Sequence, residues 1–111
     1  GVQAGTARIL GVTDPKRSVL IPDMPPLADT VPGYASRGWY GLLGPANLPR
    51  PIVDRLNTAV AHALQQDDVK QKLLGSGSEP LGSTPEQFAE FIRSEIPKWS
   101  KVIRDAGITP Q

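Results

Sequence analysis

The chain has 111 residues, of which 39% are hydrophobic and 21% charged, proportions typical of one small globular domain. Its 12 basic and 11 acidic residues give a net charge of +1. Because the basic residues are scattered, the charge gives no reason to expect nucleic acid or an anionic membrane surface as a partner. Cysteine is absent, which excludes disulfides, thiol catalysis and cysteine-based metal sites.

The N-terminal half is predicted to be rich in turns, because it carries most of the 12 prolines and 11 glycines. A short, mostly apolar run from Ala7 to Thr13 predicts a strand that is buried on both faces. Residues 14–33 lack sustained periodicity and are predicted to form a loop, with one helical turn at Leu27-Ala28-Asp29. The run from Arg37 to Leu43 then predicts a second strand.

The C-terminal half is predicted to be helical. From Pro51 to about Gln66, apolar residues recur every three or four positions, as they do on one face of a helix. Asp67 is expected to cap a short second helix, which ends at Gly75-Ser76-Gly77.

The last of the three helices is predicted to be the longest and has the strongest start signal. In Thr84-Pro85-Glu86-Gln87, the Thr84 hydroxyl can accept from the backbone N–H of Gln87 while the Gln87 side chain reaches back. Gly107 is expected to stop this helix in the left-handed conformation. Pro97 lies inside the helix, removes one backbone hydrogen bond and is expected to bend it.

No group of side chains in the sequence predicts catalysis, a metal site or a cofactor. His62 is the single histidine, and its helical neighbours supply neither a nucleophile nor metal ligands, so a solvated surface position is favoured. The adjacent carboxylates Asp67 and Asp68 are explained by a place near the positive end of a helix dipole. The chain is therefore predicted not to be an enzyme.

Trp39 and Tyr40 stand together in the segment Ser36–Pro51, among three glycines and before three prolines. Alternate residues of a strand point to opposite faces, so one ring can pack in a core while the other borders a cleft. The residues themselves leave both interpretations open. Trp39 is expected to be substantially buried in either case, because it carries a large apolar area.

Several motifs along the chain keep the order and spacing found in one receptor family. They are Arg8-Ile9-Leu10-Gly11-Val12-Thr13, Lys16-Arg17-Ser18, Pro22-Asp23-Met24-Pro25, Pro32-Gly33-Tyr34, Trp39-Tyr40-Gly41-Leu42-Leu43-Gly44-Pro45-Ala46, Pro49-Arg50-Pro51-Ile52-Val53-Asp54-Arg55-Leu56-Asn57 and Thr84-Pro85-Glu86-Gln87-Phe88. In these motifs the chain resembles the C-terminal third of the Bug family, the TctC-like extracytoplasmic solute receptors of tripartite tricarboxylate transporters.

The resemblance implies an α/β fold of the periplasmic-binding-protein kind. In such receptors two α/β domains, joined by crossing strands, close on a small carboxylate and deliver it to membrane transporter subunits. Residues 1–34 would form the end of the second receptor domain. Residues 35–111 would supply the interdomain crossing strand and the helices that complete the first domain. The resemblance also implies a periplasmic location.

Thr13, Trp39 and Tyr40 are the candidate ligand-binding residues. Thr13 is placed at the carboxyl end of a presumed parallel strand, where open α/β sheets bind ligands. Trp39 and Tyr40 lie on the presumed crossing strand. The sequence departs from the family at Arg37-Gly38, where small hydroxyl residues are more usual.

A second hypothesis is a free-standing helical module that docks a partner through the apolar faces of the Pro51 and Thr84 helices. Under the receptor hypothesis the chain is a fragment, because the glycine-rich loops that hold the carboxylate in this family are not among its motifs. The chain alone is then expected to bind carboxylates weakly and to self-associate through uncovered edges and faces.

Overall fold

The computed structural model describes residues 1–2 and 4–109. Three α-helices follow in chain order: α1 (Arg50–Ala63), α2 (Asp67–Gly75) and α3 (Pro85–Asp105). A 3₁₀ turn at Leu27–Asp29 precedes them and confirms the predicted single helical turn. The chain divides into two compact units: unit 1 comprises Gly1–Leu43 and Gln71–Glu79, and unit 2 comprises Gly44–Lys70 and Pro80–Gln111.

Helix α1 begins with a proline in its first turn, where the missing N–H has no helical partner to lose. It ends at Ala63, short of the predicted Gln66. Beyond that point the backbone tightens, because Gln65 donates to the His62 carbonyl and Gln66 to that of Ala63, both at 3.1 Å. Three-residue bonds of this kind end many α-helices.

Helix α2 begins at Asp67, so this residue lies in the first turn of the helix and not at the cap position predicted for it. Its negative charge still stands at the positive end of the helix dipole. The predicted stop is confirmed: Gly77 has a φ of +79°, and the next N–H, of Ser78, donates to the Leu73 carbonyl at 2.9 Å. Together with the bond from Gly77 to Leu74, at 3.0 Å, this is a Schellman motif.

Helix α3 confirms the capping box and is the longest of the three, with 21 residues. Gln87 N–H donates to Thr84 Oγ1 at 3.1 Å, and Thr84 N–H donates to Gln87 Oε1 at 2.9 Å. At the other end Gly107 has a φ of +66° and closes a second Schellman motif, as predicted. The helix continues through Pro97; a bend at this proline stays a prediction.

Within unit 2, side chains at the start of α1 hold the start of α3. The Arg50 guanidinium bonds Asp54 of its own helix at 2.7 Å and also pairs with Glu86 in the first turn of α3. About two turns after Arg50 on α1, Asn57 Nδ2 donates to the Ser83 carbonyl at 2.8 Å. These polar contacts fix the two helix starts beside each other.

The two predicted strands do not form within the described residues, so the α/β expectation holds there only in its helical part. Residues 7–11 and 37–43 have no regular secondary structure, and the one β-type contact is an isolated parallel bridge between Val12 and Pro26. A strand exists only where successive residues meet a neighbouring strand. In the predicted strand Ala7–Thr13, Val12 is the one described residue that forms such a bridge, and its partner is Pro26.

The described residues of each unit bury no hydrophobic side chain; Pro26, at the parallel bridge, is the one buried residue. The expected burial of Trp39 is therefore wrong, because 40% of this residue is exposed. The apolar stripe of α3 is also open over much of its length, at Ile96, Trp99, Val102 and Ile103. A small unit has too little chain to cover large apolar side chains.

We expect Thr84→Ala to destabilise the chain by about 1 kcal/mol, because it removes the oxygen that accepts from the N–H of Gln87. Far-UV circular dichroism during urea unfolding measures the change. Thr58→Ala is the matched control: the Thr58 hydroxyl bonds the Asp54 carbonyl within α1, so its loss costs no cap and gains helix propensity. Equal destabilisation by both variants would contradict the capping role.

The pKa of Glu86 is lowered, mainly by the hydrogen bond from the Arg50 side chain. A backbone hydrogen bond at Glu86 itself lowers it further. The stabilisation is thus present above the ordinary Glu range and is lost as the pH falls through the lowered pKa. We expect Arg50→Gln to raise the pKa of Glu86 toward its usual value of 4.5 in an NMR titration. Lys98→Gln, which removes a different ion pair, should leave the pKa of Glu86 where it is.

Candidate functional site

Thr13, Trp39 and Tyr40 all lie in unit 1. The backbone around Thr13 is bonded on two sides. Val12 donates to the Pro25 carbonyl at 3.0 Å and accepts from the Leu27 N–H at 2.8 Å, whereas the Thr13 carbonyl accepts from the Ser36 N–H at 3.0 Å. The Thr13 residue itself is exposed.

The segment that ends at Thr13 and the loop around Pro25 approach each other closely, and this explains the glycine at position 11. A Cβ atom built on Gly11 would stand 3.0 Å from the Pro25 carbonyl oxygen, closer than side-chain carbons normally come. Glycine therefore lets the segment that ends at Thr13 lie against the proline loop.

An ion pair lies directly beside the bond between Thr13 and Ser36. The Arg37 Nε–H donates to Asp14 Oδ1, and both side chains are partly exposed, at 38% for Arg37 and 28% for Asp14. Sequence reasoning missed this pair, because 23 positions separate its members and neither charge stands out among the 12 basic and 11 acidic residues. The segment that carries both aromatics therefore starts beside Thr13.

Trp39 and Tyr40 differ in the fraction of their surface that is exposed. Trp39 is 40% exposed, whereas Tyr40 is 96% exposed, so Trp39 is partly covered and Tyr40 almost not at all. Neither ring packs in a core as the expected division required, and the backbone here is not a strand. Tyr40 is thus the more accessible of the two for a ligand.

The side chains of the three candidate residues, Thr13, Trp39 and Tyr40, are chemically suited to an organic anion. The hydroxyls of Thr13 and Tyr40 and the indole N–H of Trp39 are hydrogen-bond donors, and carboxylate oxygens accept such bonds strongly. The two aromatic rings add apolar area for a hydrocarbon chain. No group of three or more His, Asp or Glu side chains able to hold a metal ion occurs in the part of the chain that the structure describes.

Unit 2 carries two open surface depressions. One is lined by Arg50, Glu86, Glu90 and Arg93 at the start of α3, where each guanidinium already pairs with a carboxylate. Further along this helix, Glu95 accepts from Lys98 at 2.9 Å and from Trp99 Nε1 at 2.8 Å, and these bonds lower its pKa in that order of importance. In both clusters each cation has a carboxylate partner.

None of the helices in the described residues combines the length and the apolar character needed to cross a membrane.

The amino-acid sequence matches a family model over residues 1–108, and that model describes the receptor of the tripartite tricarboxylate transporter family, TctC. One similar protein is the UPF0065 protein in the tcbD-tcbE intergenic region of Pseudomonas sp. strain P51, 34% identical over 92% of this chain and 31% of its own length. Another is protein BugT of Bordetella pertussis, 29% identical over 96% of this chain and 33% of its own length.

Among solved structures, R. palustris Rpa4515 with adipate is similar to this chain, with a TM-score of 0.76 and 38% sequence identity. The match covers 99% of this chain and 37% of that protein. The chain thus spans about one third of the length of these relatives. Since the family model matches almost every residue, the chain belongs to the TctC family, the receptors of tripartite tricarboxylate transporters.

Proposed function

We propose that these residues are the C-terminal part of a periplasmic solute receptor that binds a small carboxylate and delivers it to the membrane subunits of a tripartite tricarboxylate transporter. The observation that carries the proposal is the family match over residues 1–108. Residues 1–34 end the second receptor domain in this proposal. Residues 35–111 supply the crossing segment and the helices of the first domain.

The proposed ligand is a short dicarboxylate, because a solved relative that is 38% identical over 99% of this chain was determined with adipate. Thr13 and Tyr40 would donate hydrogen bonds to a carboxylate, and the rings of Trp39 and Tyr40 would contact the methylene groups. The high exposure of Tyr40 supports its assignment to the ligand face.

The rest of the site comes from outside this chain in the proposal. A dicarboxylate is strongly hydrated, so a receptor must surround it with preorganised donors from two closing domains. Three candidate side chains on an exposed surface do not replace that hydration shell. The proposal therefore assigns affinity to the longer protein and only part of the contact surface to these residues.

We expect the longer protein encoded by the reading frame around this chain to bind at least one of adipate, succinate and citrate in calorimetric titration. Tyr40→Ala should weaken that binding about tenfold, the effect of losing a contact of about 1.4 kcal/mol. Tyr40→Phe keeps the ring and separates the contribution of the hydroxyl from that of the aromatic face.

Two controls accompany this titration. Trp99→Phe changes an aromatic residue of α3 in unit 2 and should leave the affinity unchanged. Adipamide has the same carbon chain without charge and should bind far more weakly than adipate. A longer protein that binds none of the three carboxylates would show that the proposed function is wrong.

The 111-residue chain alone should bind these carboxylates weakly or not at all and should self-associate. Its apolar stripe on α3 is exposed at Ile96, Trp99, Val102 and Ile103, and such surfaces bury themselves against other molecules. Size-exclusion chromatography with light scattering should give a mass above that of the monomer that increases with concentration.

A charge on the stripe tests the cause of this association. Val102→Lys should lower the measured mass at a given concentration, whereas Ser100→Lys adds the same charge outside the stripe and should not. A monomeric chain that binds one of the carboxylates with micromolar affinity would contradict the proposal that it is an incomplete receptor.

A further inference from the structure

We propose that Asp14 and Arg37 are positioning residues for the carboxylate site: their ion pair aligns Thr13 with the segment that carries Trp39 and Tyr40. The inference rests on the proposed function and adds to it two residues that do not themselves contact the ligand. It starts from one geometric fact: the ion pair and the bond from the Ser36 N–H to the Thr13 carbonyl join the same two segments at adjacent positions.

The alignment matters because neither segment is held by a regular ladder. Residues 37–43 have no secondary structure, and the parallel bridge on the other side of Thr13 involves Val12 alone. A single backbone bond between exposed segments competes with water and lets them rotate about it. The ion pair adds a second attachment one residue further along each segment, and two adjacent attachments define a direction.

The effect on binding follows from the fraction of molecules in which the two segments are aligned. If only a fraction of molecules has Thr13 and the aromatic pair aligned, the apparent dissociation constant rises in inverse proportion to that fraction. A partly exposed ion pair contributes little to the overall free energy of unfolding. Its removal can still lower the aligned fraction by about twofold to fivefold, so the affinity for the ligand should respond more strongly than the thermal stability.

The pair's charge gives the inference a second, distinct consequence. Asp14 neutralises the Arg37 guanidinium in the present arrangement. If Arg37 instead attracted the carboxylate ligand directly, Asp14→Asn would free its charge and strengthen the binding of a dianion. If the pair acts by alignment, the same substitution weakens binding, because Arg37 no longer has the anionic partner that orients its segment.

The experiment measures adipate affinity by calorimetry and the melting temperature by circular dichroism for the longer protein and its variants. We expect Asp14→Asn and Arg37→Ala each to weaken adipate binding by about twofold to fivefold, the range that a partly exposed ion pair can account for. The double variant Asp14→Arg, Arg37→Asp restores an ion pair of opposite orientation and should recover most of the affinity. Arg93→Ala removes the exposed pair with Glu90 on α3 and is the matched control, with unchanged affinity.

The outcomes distinguish a failure of the positioning role from a failure of the proposed receptor function. Tighter or equal binding by Asp14→Asn, or a charge-swapped variant as weak as the single variants, overturns the positioning role while the proposed function stands. Lower melting temperatures with unchanged adipate affinity would make the pair merely structural and also overturn it. If the wild-type longer protein binds adipate, succinate and citrate no better than adipamide, the proposed function fails and the positioning role fails with it.

Discussion

The lack of buried apolar side chains among the described residues is the constraint on which the rest of this structure depends. Hydrophobic burial is the main force that stabilises folded proteins, at about 25 cal/mol for each Å² removed from water. Yet the described residues bury no hydrophobic side chain, and Trp39, Trp99 and the other members of the α3 stripe keep much of their surface in water. The contacts that remain between segments include backbone hydrogen bonds and ion pairs, both at the helix ends and around Thr13.

The same constraint explains why the candidate site is one-sided. Thr13 and Tyr40 are exposed on unit 1, and the structure brings their segments together through backbone and charged contacts and not through a packed core. An exposed hydroxyl is hydrated and contributes little to the capture of an anion until a second surface excludes water. Membership of a receptor family whose compared members are about three times as long fits such a one-sided surface.

Among the described residues, two ion pairs join segments that are far apart in the sequence, and hydrogen bonds join the same segments beside them. In unit 2, Arg50 connects the start of α1 to Glu86 at the start of α3; in unit 1, Arg37 connects to Asp14. Both use a guanidinium, whose fixed planar fork orients its partner better than an ammonium does. Ion pairs as exposed as these add little stability, and orientation of the attached segments is the effect that we propose for the Asp14–Arg37 pair.

The sequence by itself determined the helices, and the tertiary structure decided almost everything else. The capping box at Thr84, the 3₁₀ turn at Leu27–Asp29 and the stops at Gly77 and Gly107 were predictable, because each depends on residues within five positions of one another. The Bug family was also recognisable from motif order. The strands and the cover of Trp39 were predicted wrongly, and the Asp14–Arg37 pair was not predicted at all. Each of these depends on a partner far along the chain, and local residue patterns carry no information about which distant partner the chain brings near.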